Sequence, residues 1–153
     1  MRLGRRLGVD VGKVRIGLAV SDLHGILASP LATVVRAESL SETAERILKE
    51  TADFELLEIY AGLPIGMQGQ HTASTQDAID VMAELARVCN CEIRFIDERL
   101  TTVSASANLR QHGISSKNQR QIIDQEAAVL ILENALNQER VSGTTPGRTF
   151  SEL

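Results

Sequence analysis

The chain has no tryptophan, one tyrosine and three phenylalanines among its 153 residues. That is too few for the aromatic platform on which single-stranded nucleic acid stacks base by base. Its only cysteines, Cys89 and Cys91, flank a single residue, a spacing that suits neither a zinc knuckle nor a disulfide framework and fits two thiols in a reducing compartment. His24, His71 and His112 are scattered without ligand spacing, so nothing points to zinc. No run approaches the roughly 18 apolar residues of a membrane span, and no charged-then-apolar leader is evident. The expectation is a soluble, cytoplasmic protein with no membrane partner. Internal repeats are also lacking, and a 43% hydrophobic content is enough to fill one core.

A net charge of −4 argues against a nucleic-acid partner only if the charge is evenly spread, and it is not. Residues 1–20 carry Arg2, Arg5, Arg6, Lys13 and Arg15 against Asp10 alone. Residues 94–120 carry Arg94, Arg99, Arg110, Lys117 and Arg120 against Asp97 and Glu98, whereas residues 36–58 are strongly acidic. A local basic surface can bind phosphates on an acidic protein, because salt confines each field to about 8–10 Å. Arg2, Arg5 and Arg6 read as ordinary solvated charge.

The run Leu7-Gly-Val-Asp-Val-Gly12 alternates, with Leu7, Val9 and Val11 on one face and Gly8, Asp10 and Gly12 on the other. A carboxylate inside an apolar strand is costly unless a cation meets it, and the flanking glycines leave room for a close visitor. An aspartate paired with a buried arginine is the competing reading. Arg15-Ile-Gly-Leu-Ala-Val20 follows a short turn, so the two runs predict a β-hairpin.

A third strand is predicted near Leu27–Val35, then a helix opened by Ser39 with Glu42 at capping-box spacing. Leu56–Leu63 reads as an apolar strand ending at Gly62-Leu-Pro64. A loop through His71 leads to a helix through Ile79 and Met82, and Glu92–Asp97 reads as another strand. Thr101 or Thr102 can cap a helix to Gln111, ended by Gly113, and a last helix runs from about Lys117 to Glu139. Hairpin-linked strands followed by alternating helix and strand predict an α/β fold, a mixed sheet with helices on both faces. Residues 1–140 form the expected domain, and 141–153, rich in Ser, Gly, Thr and Pro, the expected disordered tail.

Two further carboxylate positions stand out. Asp97 and Glu98 close a strand at its carboxyl end, where α/β sheets hold ligands, and neighbours on a strand point to opposite faces. At most one of them shares a face with Asp10, the other having a local role around the Thr101 turn; spacing leaves the choice open. In the last helix, Gln119, Glu126, Glu133 and Arg140 define a wet face. Asp124 lies about 200° around from Glu126, in line with Ala128, Ile131 and Ala135. An anion on a buried helix face needs an arginine or a metal.

Three carboxylates brought within a few ångströms repel one another, and a hard divalent cation with oxygen ligands relieves that repulsion. Such an ion polarises a scissile phosphate and supplies a hydroxide nucleophile, so no nucleophilic side chain is needed.

From Gly8-Val-Asp-Val-Gly12 with Arg15-Ile-Gly-Leu-Ala19, through Gly62-Leu-Pro64 and Asp97-Glu-Arg-Leu-Thr-Thr102, to Ile123-Asp124 with Ala127-Ala128, the sequence resembles the YqgF family. This family, also called RuvX or the Holliday-junction-resolvase family, lies in the RNase H-like superfamily. The resemblance implies Asp10, Glu98 and Asp124 as a metal-binding catalytic triad, favours Glu98 over Asp97, and implies Mg²⁺ or Mn²⁺ as cofactor. It implies an RNase H-like fold with a central five-stranded sheet whose first three strands are antiparallel. The implied activity is nuclease action in 5′-end maturation of pre-16S ribosomal RNA, or the resolution of branched DNA, by a monomer or homodimer. Lys13, Arg15, Arg99, Lys117 and Arg120 are the expected phosphate contacts, on structured RNA rather than on stacked bases.

Two departures are visible. Lys13 and Arg15 are split by Val14 where the family often has an adjacent Lys-Arg pair, and Ala127 stands where related resolvases tend to place a fourth carboxylate. An actin-like ATPase would need a second lobe and about double the length. A non-catalytic nucleic-acid module would be expected to have lost acids, and all three are retained.

Overall fold

A computed structural model describes residues 1–99 and 116–153, with 116–121 described by backbone alone. The expected helix from Thr101 to Gln111 lies outside the described residues, as do the side chains of Lys117 and Arg120.

Strands β1 (Arg5–Val11) and β2 (Arg15–Ser21) form the predicted hairpin, and β3 (Ala28–Val35) adds antiparallel to β2. Helix α1 (Leu40–Glu50) begins where the Ser39 side chain accepts a hydrogen bond from the Glu42 N–H. Strand β4 (Leu56–Leu63) pairs parallel with β1, and α2 (Ala73–Val88) opens on a Thr72/Thr75 capping box. Strand β5 (Glu92–Asp97) pairs parallel with β4, and the long α3 (Ser116–Ser142) follows. The sheet order is β3-β2-β1-β4-β5. The predicted five-stranded mixed sheet, with its first three strands antiparallel, is the observed one.

Side-chain alternation divides the core into two layers. Leu7, Val9, Ile16, Leu18, Ile59, Ala61, Leu63, Ile93 and Phe95 pack against Ala44 and Ile47 of α1 and Val81, Met82 and Leu85 of α2. The opposite sheet face, with Ala19, Tyr60 and Ile96, packs against Ala128, Ile131, Leu132 and Ala135 of α3. The stripe that holds Asp124 is therefore the buried side of α3, as its periodicity predicts. The helix lies very close to the sheet. A Cβ on Gly8 would stand 2.7 Å from the Ala128 carbonyl oxygen, and one on Gly17 would strike the Asp124 carbonyl. Glycine at both positions is what allows backbone to rest on backbone.

Two expectations are corrected here. Arg6 is fully buried rather than solvated. It bonds Glu139 at 2.8 Å, while Arg2 bonds both Glu139 and Glu58. These partners lie more than fifty residues away, so local charge counting does not reveal them. The segment 141–153 is also not a disordered tail. Its first two residues complete α3, and Arg148 then pairs with Phe95 through two backbone hydrogen bonds, at 2.8 and 3.0 Å. Phe150 packs edge-on against the Phe95 ring at 5.1 Å, and Arg94 donates to the Pro146 and Gly147 carbonyls. The outer edge of β5 had backbone groups to offer, and this outweighs the loop-like composition.

Candidate active site

The strand registers bring three carboxylates to one corner. Asp10 pairs with Gly17 across the β1–β2 ladder, and cross-strand partners share a face. The backbone of Asp124 lies directly over Gly17. On the other flank Val9 pairs with Ala61, so Asp10, one step on, runs beside Gly62. The Glu98 carboxylate covers Gly62, where a Cβ would collide with its Oε2. Asp10 thus has a glycine on each neighbouring strand, and each glycine makes room for one of the other two acids.

Strand alternation separates Asp97 from Glu98 as expected. Phe95 belongs to the layer under α1 and α2 and Ile96 to the layer under α3, so Asp97 points back toward the first layer and Glu98 toward α3. Asp97 accepts from the Arg99 backbone N–H at 3.0 Å and from the Arg99 guanidinium, which holds its carboxyl below the usual range. Arg99 also donates to the Met67 carbonyl at 3.2 Å, fastening the 64–72 loop to the end of β5. The expected local role of Asp97 therefore falls on Arg99; the Thr101 turn is outside the described residues.

Asp10 feels both of the other acids. Burial, and then the charges of Glu98 and Asp124, push the Asp10 carboxyl up to about 8. Burial and the neighbouring Asp97 push Glu98 up to about 7. Burial also raises Asp124, while Arg15, whose Nε donates to Asp124 Oδ2 at 2.9 Å, pulls it back. Among the described residues, the competing reading of a paired acid thus applies to Asp124 and not to Asp10.

The donor set is all carboxylate oxygen, which suits Mg²⁺ or Mn²⁺ and not a thiophilic metal. Among the described residues no three ligating side chains stand tightly enough to enclose an ion as they are, and Asp124 is turned to Arg15. The chemistry of the donors at this corner is that of a site for a hard divalent cation.

Of the expected phosphate contacts, Lys13 is exposed at the β1–β2 turn, on the rim of a groove of about 570 Å³ that it shares with Arg36 and Ser74. Arg36 holds that turn, donating to the Gly12 carbonyl at 3.0 Å while pairing with Asp77. Arg15 and Arg99 are both engaged by carboxylates. Sequence reasoning missed Gly17 and Gly62 as parts of the site; the signal was present in the strand register, which places each beside Asp10.

Residues 4–138 match the model of RuvX, described as Holliday junction resolvase. The chain belongs to the RuvX family. A relative from Clavibacter sepedonicus, named "putative pre-16S rRNA nuclease", is 48% identical over 147 residues, covering 96% of this chain and 91% of its own length. One of the same name from Mycobacterium ulcerans is 51% identical over 138 residues, covering 90% and 81%. Among solved structures, Thermus thermophilus RuvC in complex with a Holliday junction substrate superimposes with a TM-score of 0.60 at 15% identity, covering 94% of this chain and 99% of that one. This likeness bears out the RNase H-like fold expected for a RuvX protein.

Proposed function

We propose that this RuvX protein is a divalent-metal-dependent nuclease that hydrolyses phosphodiester bonds, with the 5′ end of pre-16S ribosomal RNA as its substrate. The observation that carries the reading is the meeting of Asp10, Glu98 and Asp124 over two glycines on neighbouring strands. The names of its relatives support the RNA substrate.

Asp10, Glu98 and Asp124 would hold Mg²⁺ or Mn²⁺. Once bound, such an ion polarises the scissile phosphate and lowers the pKa of a water to make the nucleophile. The protein's own part begins with protons. Asp10, at about 8, and Glu98, at about 7, retain protons near neutrality and must lose them to act as ligands, so occupancy rises with pH. Positioning follows from the sheet, since Asp10 is fixed on a central strand and Glu98 at the end of its neighbour's partner. Lys13, Arg15, Arg99, Lys117 and Arg120 are the residues proposed to contact phosphates. Structured RNA meets such a surface through backbone and 2′-hydroxyls, in keeping with the scarcity of aromatics.

Junction resolution is the second reading, favoured by the description attached to the family. It requires two sites acting together, hence a homodimer. A side-by-side assay decides: a 5′-extended pre-16S RNA fragment and a synthetic four-way DNA junction, each with Mg²⁺, with chelator, and with Asp10→Asn. Metal-dependent trimming of the RNA by the wild type alone is the expected result. Symmetric cutting of the junction with the RNA intact would install the resolvase reading, and cleavage indifferent to chelator would remove both.

A further inference from the structure

Among the described residues, the basic side chain bonded to one of the three acids is Arg15, and it does not stand open to solvent in wait for a phosphate. Arg15 opens β2 on the same sheet face as Gly17 and Asp10, opposite in direction to Ile16, which lies in the other layer. Its guanidinium spans to α3 and occupies Asp124 Oδ2 at 2.9 Å, both side chains being only partly exposed, 26% and 17%. The backbone beneath Asp124 is fixed: its carbonyl rests on Gly17, and the next residue, Gln125, donates to Thr33 Oγ1 at 2.9 Å. The side chains at this contact can rearrange while the helix stays in place.

The geometry points to Arg15 as an exchangeable counter-ion that couples metal binding to substrate binding. This rests on the nuclease reading above. Without metal, Arg15 neutralises Asp124 and keeps the most exposed side of the acidic corner from repelling phosphate unopposed. When Asp124 turns to a divalent cation, that negative charge is satisfied elsewhere and Arg15 is released beside the corner. The released guanidinium is then free to take a substrate phosphate, for which its planar fork is well matched. One side chain thereby makes the two ligands cooperative, and linkage requires the effect to be reciprocal. Arg15 is in this sense a positioning residue for Asp124 and a phosphate contact in turn, never both together.

The test measures binding, not turnover. Mn²⁺ affinity is measured by calorimetry for wild type, Arg15→Gln and Arg15→Lys without nucleic acid. RNA affinity is measured by fluorescence anisotropy in chelator and in Ca²⁺, which takes the same oxygen ligands, with RNA integrity checked on gels. Arg15→Gln should bind Mn²⁺ about two- to fivefold more tightly, the range set by a partly exposed ion pair that no longer has to break. In the wild type, Ca²⁺ should strengthen RNA binding and steepen its salt dependence by about one phosphate, a slope change of roughly 0.7 to 0.9. Arg15→Gln should lose that added slope, and Arg15→Lys, which keeps the charge, should retain most of it. Mn²⁺ binding by Arg15→Gln that is equal to or weaker than wild type would overturn the exchange and leave Arg15 a simple brace, with the nuclease reading untouched. Absence of saturable Mn²⁺ binding by the wild type would remove both.

Discussion

Asp10→Asn should stabilise the metal-free protein while abolishing cleavage, and the pH dependence of that gain is the decisive observable. Asp10 titrates near 8 in the folded chain against an ordinary value of 3.8. The folded state therefore holds a proton that the unfolded state has lost throughout the interval between them. Stability from this group is fully present below about pH 4, declines as pH rises, and is gone above about pH 8. At about 1.4 kcal/mol per pH unit, four units set a ceiling of about 5–6 kcal/mol. Partial solvation of the corner and Asp10's sharing of charge with Glu98 reduce the expected value to about 2 kcal/mol at pH 8. For a chain of this length that corresponds to a melting shift of about 4–8 °C. The assay is thermal or urea unfolding of wild type and Asp10→Asn in chelator from pH 5 to 8.5, read as the difference between the two. The difference should be small at pH 5 and grow in the mutant's favour toward pH 8. Adding Mg²⁺ should stabilise the wild type by mass action and the mutant far less. A wild-type–mutant difference that is flat with pH, or that shrinks as pH rises, would refute the burial and repulsion argued to raise Asp10.

Three further outcomes are expected. Glu98→Gln should lose cleavage by at least a hundredfold, whereas Asp97→Asn should retain measurable activity because its partner is Arg99; both are read from initial rates on one substrate with folding checked by circular dichroism. Gly17→Ala should destabilise the fold by about 1–3 kcal/mol, since the added methyl meets helix backbone that has no rotamer to move aside, and urea melts give the value. Glu139→Ala should cost about 3–5 kcal/mol in the same melts, because it strips the buried Arg6 of its carboxylate partner.

The parts of the fold that were legible in the sequence are those encoded by short-range periodicity. Alternation in Leu7–Val11 gave the strand and the face of Asp10, and the seven-residue spacing of polar groups in α3 correctly turned Asp124 inward. The separation of Asp97 from Glu98 needed only the pleat. The features that escaped are pairings between distant segments. Arg15 and Asp124 are 109 residues apart, and Arg6 and Glu139 are 133 apart, so no local pattern links them. Gly17 and Gly62 each look unremarkable within their own strands and acquire a role only when register sets them on either side of Asp10. Segment 141–153 has the composition of a loop, and what orders it is a vacant strand edge formed by other residues.

The seating of α3 on Gly8 and Gly17 has a consequence for the history of each molecule. A growing chain exposes Asp10 early, Glu98 much later and Asp124 later still, and until α3 is made the bare glycine face has nothing to lie on it. Until then the chain owns two of the three acids and no complete corner. On the proposed reading, hydrolytic competence arrives only when α3 docks on the sheet, so the enzyme acquires its activity by completing its own fold.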